Sequence, residues 1–480
     1  MFGRKSDVSD NNKANKEIMA VTYIFVGIFI LLISYIFYFT AFRSESFINN
    51  PYNNKRAQLL SEKIVRGTVY SRNGEILART DSDENGNEKR VYPYGPVFAH
   101  AVGFFSQGST GVESIASFKL LTSNDSLKTR VVNDLTGVKN KGDCVVTTLD
   151  TSLQSVAWSS LGDRKGAVVV INVKTGEILA LVSKPDFDPN RIDEIWDAVN
   201  EDTESSPLLN RVTQGLYPPG STFKIMTALE FIKENPDTSG YAFDCHGSFL
   251  SNGVKISCYH GTNHGELDFD SSFARSCNSS FANISSTLDK EKFGRTCTKL
   301  LFNSELPCPY NYKSSYVDMN SDTGFAELIQ AGIGQGRTQI TPMHMAMITS
   351  AIANNGMLMK PIVISSVKNI RGASVRTYSF EEYGRLLNPD ESEKLRELMR
   401  QVVLAGTGSR LQGTMGYEAA GKTGSAEYSV DKTKSHAWFT GFAPYDDPEI
   451  AVTVIVEGGG SGGETAVPIA RMVFDEYFND

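Results

Sequence analysis

The chain has 480 residues, of which 40% are hydrophobic and 21% charged; this is enough apolar material for sizeable cores and excludes a wholly disordered chain. Its 47 Lys and Arg against 55 Asp and Glu give a net charge of −8, so nucleic acid is not an expected partner. Six cysteines are too few for a disulfide scaffold, and 41 Gly with 17 Pro exclude collagen-like and low-complexity classes.

From Ile18 to Phe42 there is no charged residue. The run is apolar on every side rather than along one stripe, and it is long enough to cross a bilayer. A cleaved signal would have a shorter apolar region, about 7–15 residues, ending in small side chains. This run ends in Tyr38, Phe39 and Phe42, so it reads as an uncleaved anchor. Arg4, Lys5, Lys13 and Lys16 precede it; Arg43 follows, with Lys55 and Arg56 further on. That mild positive-inside bias predicts a cytoplasmic tail over 1–17, one transmembrane helix over 18–42 and residues 43–480 outside the cell membrane.

Residues 43–150 read as a small β-rich pedestal. Asn73-Gly74 sits between β-prone runs, a hairpin-turn signal because both residues tolerate positive φ. Cys144–Asp150 reads as a strand and Thr151–Leu161 as a helix. The apolar runs 167–172 and 177–183 flank Lys174-Thr-Gly176 and read as a hairpin. A domain boundary is expected near residue 150, with a second domain over 151–480.

Three short motifs follow in order: Ser221-Thr-Phe-Lys224, Ser276-Cys-Asn278 and Lys422-Thr-Gly424. Tyr217-Pro-Pro-Gly220 stops any earlier helix, so Ser221 lies at or near the N-terminus of the helical stretch Thr222–Lys233. Ser221 and Lys224 then share one helix face, and free N–H groups at that end can stabilise an oxyanion. A lysine of depressed pKa can take the serine proton. Two further S-x-x-K matches lack this setting. Ser365 and Lys368 fall in a strand pattern, on opposite faces; Ser429 and Lys432 fall in a polar loop. A hydroxyl and a carboxamide two apart, Ser276 and Asn278, can face one cleft from a turn. Lys422, Thr423, Gly424 and Ser425 suggest an edge strand whose small residues admit a ligand backbone and whose lysine and hydroxyls meet a carboxylate.

S-x-x-K, S-x-N and K-T-G in this order resemble the serine transpeptidase and β-lactamase superfamily. The resemblance extends to Arg66-Gly-Thr-Val, Arg72-Asn-Gly-Glu-Ile-Leu-Ala78, Pro185-Asp-Phe-Asp-Pro-Asn190, Tyr217-Pro-Pro-Gly220, Gly334-Gln-Gly336 and His436-Ala-Trp-Phe-Thr-Gly441. Together these look like class B penicillin-binding proteins, and Ser206-Pro-Leu-Leu-Asn-Arg211 is closest to the compact mycobacterial PBPA-like subgroup. The resemblance implies an α/β transpeptidase domain of serine β-lactamase-like fold. Its antiparallel sheet would lie between helical layers and use the 167–183 hairpin with strands near 418–428, 436–443 and 449–457. It implies Ser221 as acylated nucleophile, Lys224 as base, Ser276 as proton shuttle and Asn278 as holder of the substrate amide. Lys422, Thr423, Gly424 and Ser425 would bind substrate, with the N–H groups of Ser221 and Ser425 as oxyanion hole. The family usually has threonine at Ser425, and Ser71 replaces its usual pedestal aspartate. The implied reaction cross-links peptidoglycan stem peptides ending in D-Ala-D-Ala, is trapped by β-lactams and needs no metal or cofactor. A SEDS-type membrane glycosyltransferase is the implied partner.

The rival readings are a membrane-tethered β-lactamase, a non-catalytic β-lactam sensor and a scaffold. No E-x-x-x-N occurs between Asn278 and Lys422, against the class A β-lactamase solution. The cytoplasmic tail leaves little room for a signalling effector.

Cys245 and Cys258 enclose a short loop that a disulfide would staple, and Cys297 with Cys308 is a second, weaker pairing. His246, His260 and His264 lie near the first pair, but the spacing is not that of a standard zinc finger, and no metal is expected. Cys277 reads as a small buried residue. Gly458–Gly463 reads as a flexible loop before a C-terminal helix over 465–478.

Overall fold

The computed structural model describes residues 6–39, 59–84, 86–414, 416–428 and 434–479. It divides into two units, 1–58 and 59–480. In the first, one helix runs from Ser6 to Tyr38. Its stretch Ile18–Tyr38 is 21 residues long, apolar and unburied, and spans about 31 Å at a helical rise, a bilayer core's thickness. Residues 40–42 of the expected span, and Arg43, Lys55 and Arg56, lie outside the described residues.

In the second unit a five-stranded antiparallel sheet has the order 420–427, 435–443, 450–456, 166–172, 178–184. These are the strands expected from the sequence. Both faces of the sheet are covered, which is why 166–172, 178–184 and 450–456 read as near-continuous apolar runs rather than alternating ones. Along Gly166–Asn172 the side chains of Ala167, Val169 and Ile171 enter one core, while Val168 and Val170 enter another. On one face packs the helix Pro342–Ala353, every residue of it buried. On the other pack Thr151–Leu161 and Val467–Asn479. Asp150 caps the first of these by accepting from the N–H groups of Ser152 and Leu153.

A six-stranded sheet has the order 374–377, 364–368, 144–147, 69–70, 76–82, 88–91. The Asn73-Gly74 turn joins 69–70 to 76–82, with Gly74 at φ 88°. Two of the strands come from far down the chain, on the other side of residue 150. They include the strand Ile364–Lys368, which carries the rejected Ser365–Lys368 match. Beneath the sheet, Glu113 is fully buried between two guanidiniums, with Arg66 Nε at 2.6 Å and Arg90 Nε at 2.7 Å. Tyr92 and Asn190 tie this region to the following one: the Tyr92 N–H donates to Asn190 Oδ1 at 2.8 Å and its carbonyl accepts from Nδ2 at 2.9 Å.

Candidate active site

The Pro218-Pro219-Gly220 turn delivers Ser221 into a 3₁₀ turn, Gly220–Phe223, that runs straight into the helix Lys224–Glu234. Gly220 (φ 52°) donates its N–H to the Gly334 carbonyl at 2.9 Å. Gly334 itself has φ 72°, and a Cβ there would stand 2.0 Å from the Gly220 carbonyl oxygen. Trp438, fully buried, donates Nε1–H to the Pro218 carbonyl at 3.1 Å. Thus the serine turn is fixed from two sides. Among the described residues the Ser221 hydroxyl has no hydrogen-bond partner, and Ser221 lines a cleft of about 770 Å³ with Ser276, Asn278, Thr423, Gly424 and Ser425.

Ser276 follows the short helix Phe269–Ala274 in a left-handed conformation, φ 57°. Cys277 then caps the helix Asn278–Thr287, its sulfur accepting the Ser280 N–H at 3.3 Å. The strand Ala420–Glu427 is a sheet edge, paired only with Ser435–Ala443. It presents Thr423, Gly424 and Ser425 to the cleft, whereas Lys422 is fully buried and reaches Ser276 instead.

The two lysines are fully buried and converge on Ser276. Lys224 Nζ donates to the Ser276 carbonyl at 2.6 Å and to Asn278 Oδ1 at 2.8 Å, and lies 3.3 Å from Ser276 Oγ. Lys422 Nζ donates to Ser276 Oγ at 2.8 Å and to the Thr423 carbonyl at 3.1 Å. Burial pushes the Lys224 ammonium down to about 8. Burial, then the neighbouring Lys224 charge, holds Lys422 well below the usual lysine range. A serine on a helix end, a buried amine of lowered basicity, a hydroxyl shared by two amines and an open strand edge are the parts that acyl transfer needs.

The family model of the penicillin binding protein transpeptidase domain matches residues 166–475, and that of the penicillin binding protein A dimerisation domain matches residues 66–145. The chain belongs to the class B penicillin-binding proteins. It is 30% identical to the peptidoglycan D,D-transpeptidase PbpA of Mycolicibacterium smegmatis over 95% of this chain and 98% of that one. It is 31% identical to PbpA of Mycobacterium tuberculosis over 88% and 91%. Penicillin-binding protein A of M. tuberculosis, solved as a ceftriaxone acyl-enzyme, superposes with a TM-score of 0.80 at 29% identity, covering 87% of this chain and 99% of that one. The D,D-transpeptidase domain from Eggerthella lenta gives 0.79 at 28%, with coverages of 87% and 99%.

In this penicillin-binding protein several supporting residues carry no motif of their own. Glu457 Oε1 accepts from Arg211 Nε and from the Tyr217 hydroxyl, both at 2.7 Å. Arg211 also donates to the carbonyls of Ser205 and Ser206, which explains the Ser206–Arg211 stretch. Thr407 reaches the Thr423 hydroxyl and lines the same cleft. The sequence signal for Glu457 is a lone carboxylate ending an apolar strand. Thr407 has no such signal. The Gly458–Gly463 run is not a free loop: the Gly460 N–H donates to Ser435 O at 2.9 Å and the Gly462 N–H to Ser425 Oγ at 3.3 Å. Ser429 and Lys432 lie outside the described residues. All six cysteines are free thiols, so neither candidate pairing is a disulfide here. Of the three histidines near Cys245, only His264 comes to it, Nδ1 lying 3.5 Å from the sulfur; His246 pairs with Asp244 in an exposed position, and His260 is exposed.

Proposed function

We propose that this chain is the serine D,D-transpeptidase that cross-links peptidoglycan stem peptides, with Ser221 as the acylated residue. The convergence of Lys224 and Lys422 on Ser276, in the cleft that holds Ser221, is the observation that carries this reading. A stem peptide ending in D-Ala-D-Ala lies along the open edge of Ala420–Glu427, its carboxylate on Lys422, Thr423 and Ser425. Asn278 holds its amide. Ser221 Oγ attacks the carbonyl between the two D-alanines while its proton passes to the Lys224 amine. At an apparent pKa of about 8 roughly a tenth of Lys224 is neutral at pH 7. The N–H groups of Ser221 and Ser425 hold the oxyanion. Collapse breaks the amide bond, and Ser276 passes a proton from the lysine pair to the departing D-Ala amine. A second stem's amine then attacks the ester, and Ser221 regains its proton. β-Lactams mimic the donor and remain on Ser221.

The division of labour in the chain follows: a cytoplasmic tail over 1–17, an anchor over 18–42, a pedestal over 43–150 and the transpeptidase domain over 151–480 in the extracellular compartment. The four basic residues before the span support that orientation. A SEDS-type membrane glycosyltransferase supplies the glycan strand. The test is direct. Full-length protein in detergent, given a stem pentapeptide donor and an amine acceptor, should release one D-Ala per cross-link formed, and Ser221→Ala should release none. Release of D-Ala by the Ser221→Ala variant at the parent rate would refute the assignment.

A further inference from the structure

We propose that Cys245, Cys258, His264 and Cys277 form a Zn²⁺ site that fixes the Ser276-Cys277-Asn278 loop. Their candidate ligand atoms all lie within 4.8 Å of one another. Cys245 Sγ is 3.7 Å from Cys258 Sγ, Cys258 Sγ is 3.6 Å from Cys277 Sγ, and Cys245 Sγ is 3.5 Å from His264 Nδ1. A tetrahedral ion with bonds of about 2.3 Å to sulfur and about 2.05 Å to nitrogen sets sulfurs about 3.8 Å apart and sulfur and nitrogen about 3.6 Å apart. The three separations above match three of the six edges, and the other three lie within 4.8 Å. A disulfide would bring one pair of sulfurs to about 2.05 Å and leave the third sulfur and the imidazole outside the bond.

The local packing suits such a group. The four residues come from four places: the end of the strand Phe243–Cys245, the residue after Val254–Ser257, the residue before Gly265–Leu267, and the cap of the helix Asn278–Thr287. The strands around them form only two-stranded sheets, 243–245 with 265–267 and 248–251 with 254–257. Isolated pairs of strands are marginal in water. Their buried cluster consists of three of the cysteines and Leu267, with Phe243 against it. Phe249, Val254 and Ile256 pack the second pair on the main core, so a structural metal would staple chiefly the small cysteine cluster and the 243–245 and 265–267 strands beside it. The sulfurs already have outer partners, Ser279 Oγ at 3.1 Å from Cys258 Sγ and the Ser280 N–H at 3.3 Å from Cys277 Sγ.

Three thiolates and an imidazole in a tetrahedron select Zn²⁺ over harder ions. Four protein ligands leave no open position, so the ion is structural and activates no water. Cys277 is flanked by Ser276 and Asn278, the two residues that receive Lys224. An ion holding Cys277 therefore sets the position of both. This second half rests on the proposed function; the metal site itself does not.

Full-length protein in detergent, purified without added metal or chelator, should contain about one zinc per chain by elemental analysis. Cys245→Ser with Cys258→Ser should lose it, and Cys297→Ser with Cys308→Ser should keep it. Because the first variant can fail to fold, parent protein is also stripped with a chelator and reloaded with Co²⁺. Intense sulfur-to-cobalt charge-transfer bands and tetrahedral d–d bands are expected. Absence of zinc together with absence of those bands, or a Cys245–Cys258 disulfide in non-reduced peptide maps of the parent, would overturn the site. Acylation of stripped protein by a fluorescent penicillin should be at least tenfold slower and recover on Zn²⁺ addition. Unchanged acylation with the zinc content confirmed lost would overturn only the positioning role.

Discussion

The hydroxyl of Ser276 accepts a hydrogen bond from Lys422 Nζ at 2.8 Å, across the cleft from the strand that carries that lysine. The same oxygen lies 3.3 Å from Lys224 Nζ, so one hydroxyl is shared by the two buried amines of the site. Removing it should disconnect them without disturbing Ser221. Ser276→Ala is expected to slow penicillin acylation by roughly 10²–10⁴-fold, the usual range for a lost proton-transfer group. Stopped-flow acylation kinetics, with the melting temperature as a fold control, check this.

Among the described residues Lys224 is buried without a carboxylate partner, and its ammonium is held by the Ser276 carbonyl, Asn278 Oδ1 and, at 3.3 Å, the Ser276 hydroxyl. Lys224→Met keeps the volume and removes the amine. Acylation should fall by about 10³-fold or more, while thermal stability changes little, because burying an ammonium offsets what its hydrogen bonds contribute. A variant acylating within tenfold of the parent would show that another group takes the Ser221 proton.

Gly334 touches no substrate in this account, yet it sits on the serine turn. Gly334→Ala puts a methyl at φ 72° and 2.0 Å from the Gly220 carbonyl. The left-handed strain alone costs about 1 kcal/mol, and the clash must move the turn that carries Ser221. Reduced stability together with slowed acylation is expected, measurable by thermal melting and labelling of the same sample.

Much of the molecule was legible in the sequence because its signals are local. The charge-free run before Arg43 and the 167–183 hairpin with its turn at Lys174-Thr-Gly176 follow from composition and periodicity, while the strands 420–427, 435–443 and 450–456 follow from the family resemblance. The three motifs carry most of the proposed catalytic set through short spacings on recognisable elements. What was hidden depends on distant pairing. Nothing near Cys144 announces that Ile364–Lys368 completes its sheet. Glu457 looks like an ordinary strand end until Arg211 and Tyr217 reach it from about 240 residues away. The cysteine cluster is half legible: Cys245, Cys258 and His264 stand close in the sequence, but Cys277 reads as filler until the fold brings it to Cys258. The Gly458–Gly463 run reads as flexible because its hydrogen bonds go to strands elsewhere in the chain.

The buried pedestal triad predicts a stability effect separate from chemistry. Burial pushes the Glu113 carboxyl up, and Arg66 and Arg90 more than offset it, holding it below the usual range. Glu113→Ala leaves two buried guanidiniums without their anion and should destabilise by about 3–5 kcal/mol. Chemical denaturation of parent and variant measures this, and acylation of the folded variant at low temperature should persist.

Two histidines make stability fall in mild acid. His100 and His344 are fully buried; each Nε2–H donates to a backbone carbonyl, of Pro207 at 2.8 Å and of Leu300 at 2.7 Å. Burial pushes both rings down to about 4. In the unfolded chain they take a proton near pH 6.5, so the unfolded state binds more protons between about 6.5 and 4. Their contribution is complete above pH 6.5, shrinks as pH falls through that window, and amounts to up to roughly 3 kcal/mol each. Glu113 adds a loss of the same sign only below its unfolded value of about 4.5. Denaturation midpoints at pH 7.5 and 5 should differ, and the difference should shrink in His344→Gln even though that variant is less stable at both.

Ser221 should form a long-lived acyl-enzyme. Full-length protein in detergent is labelled with a fluorescent penicillin, chased with unlabelled drug and followed over time, with the labelled peptide mapped by mass spectrometry. One stable adduct is expected, on Ser221, absent from Ser221→Ala. Labelling of the variant equal to the parent, or an adduct on another residue, would contradict it; rapid loss of label by hydrolysis would instead mark a β-lactamase.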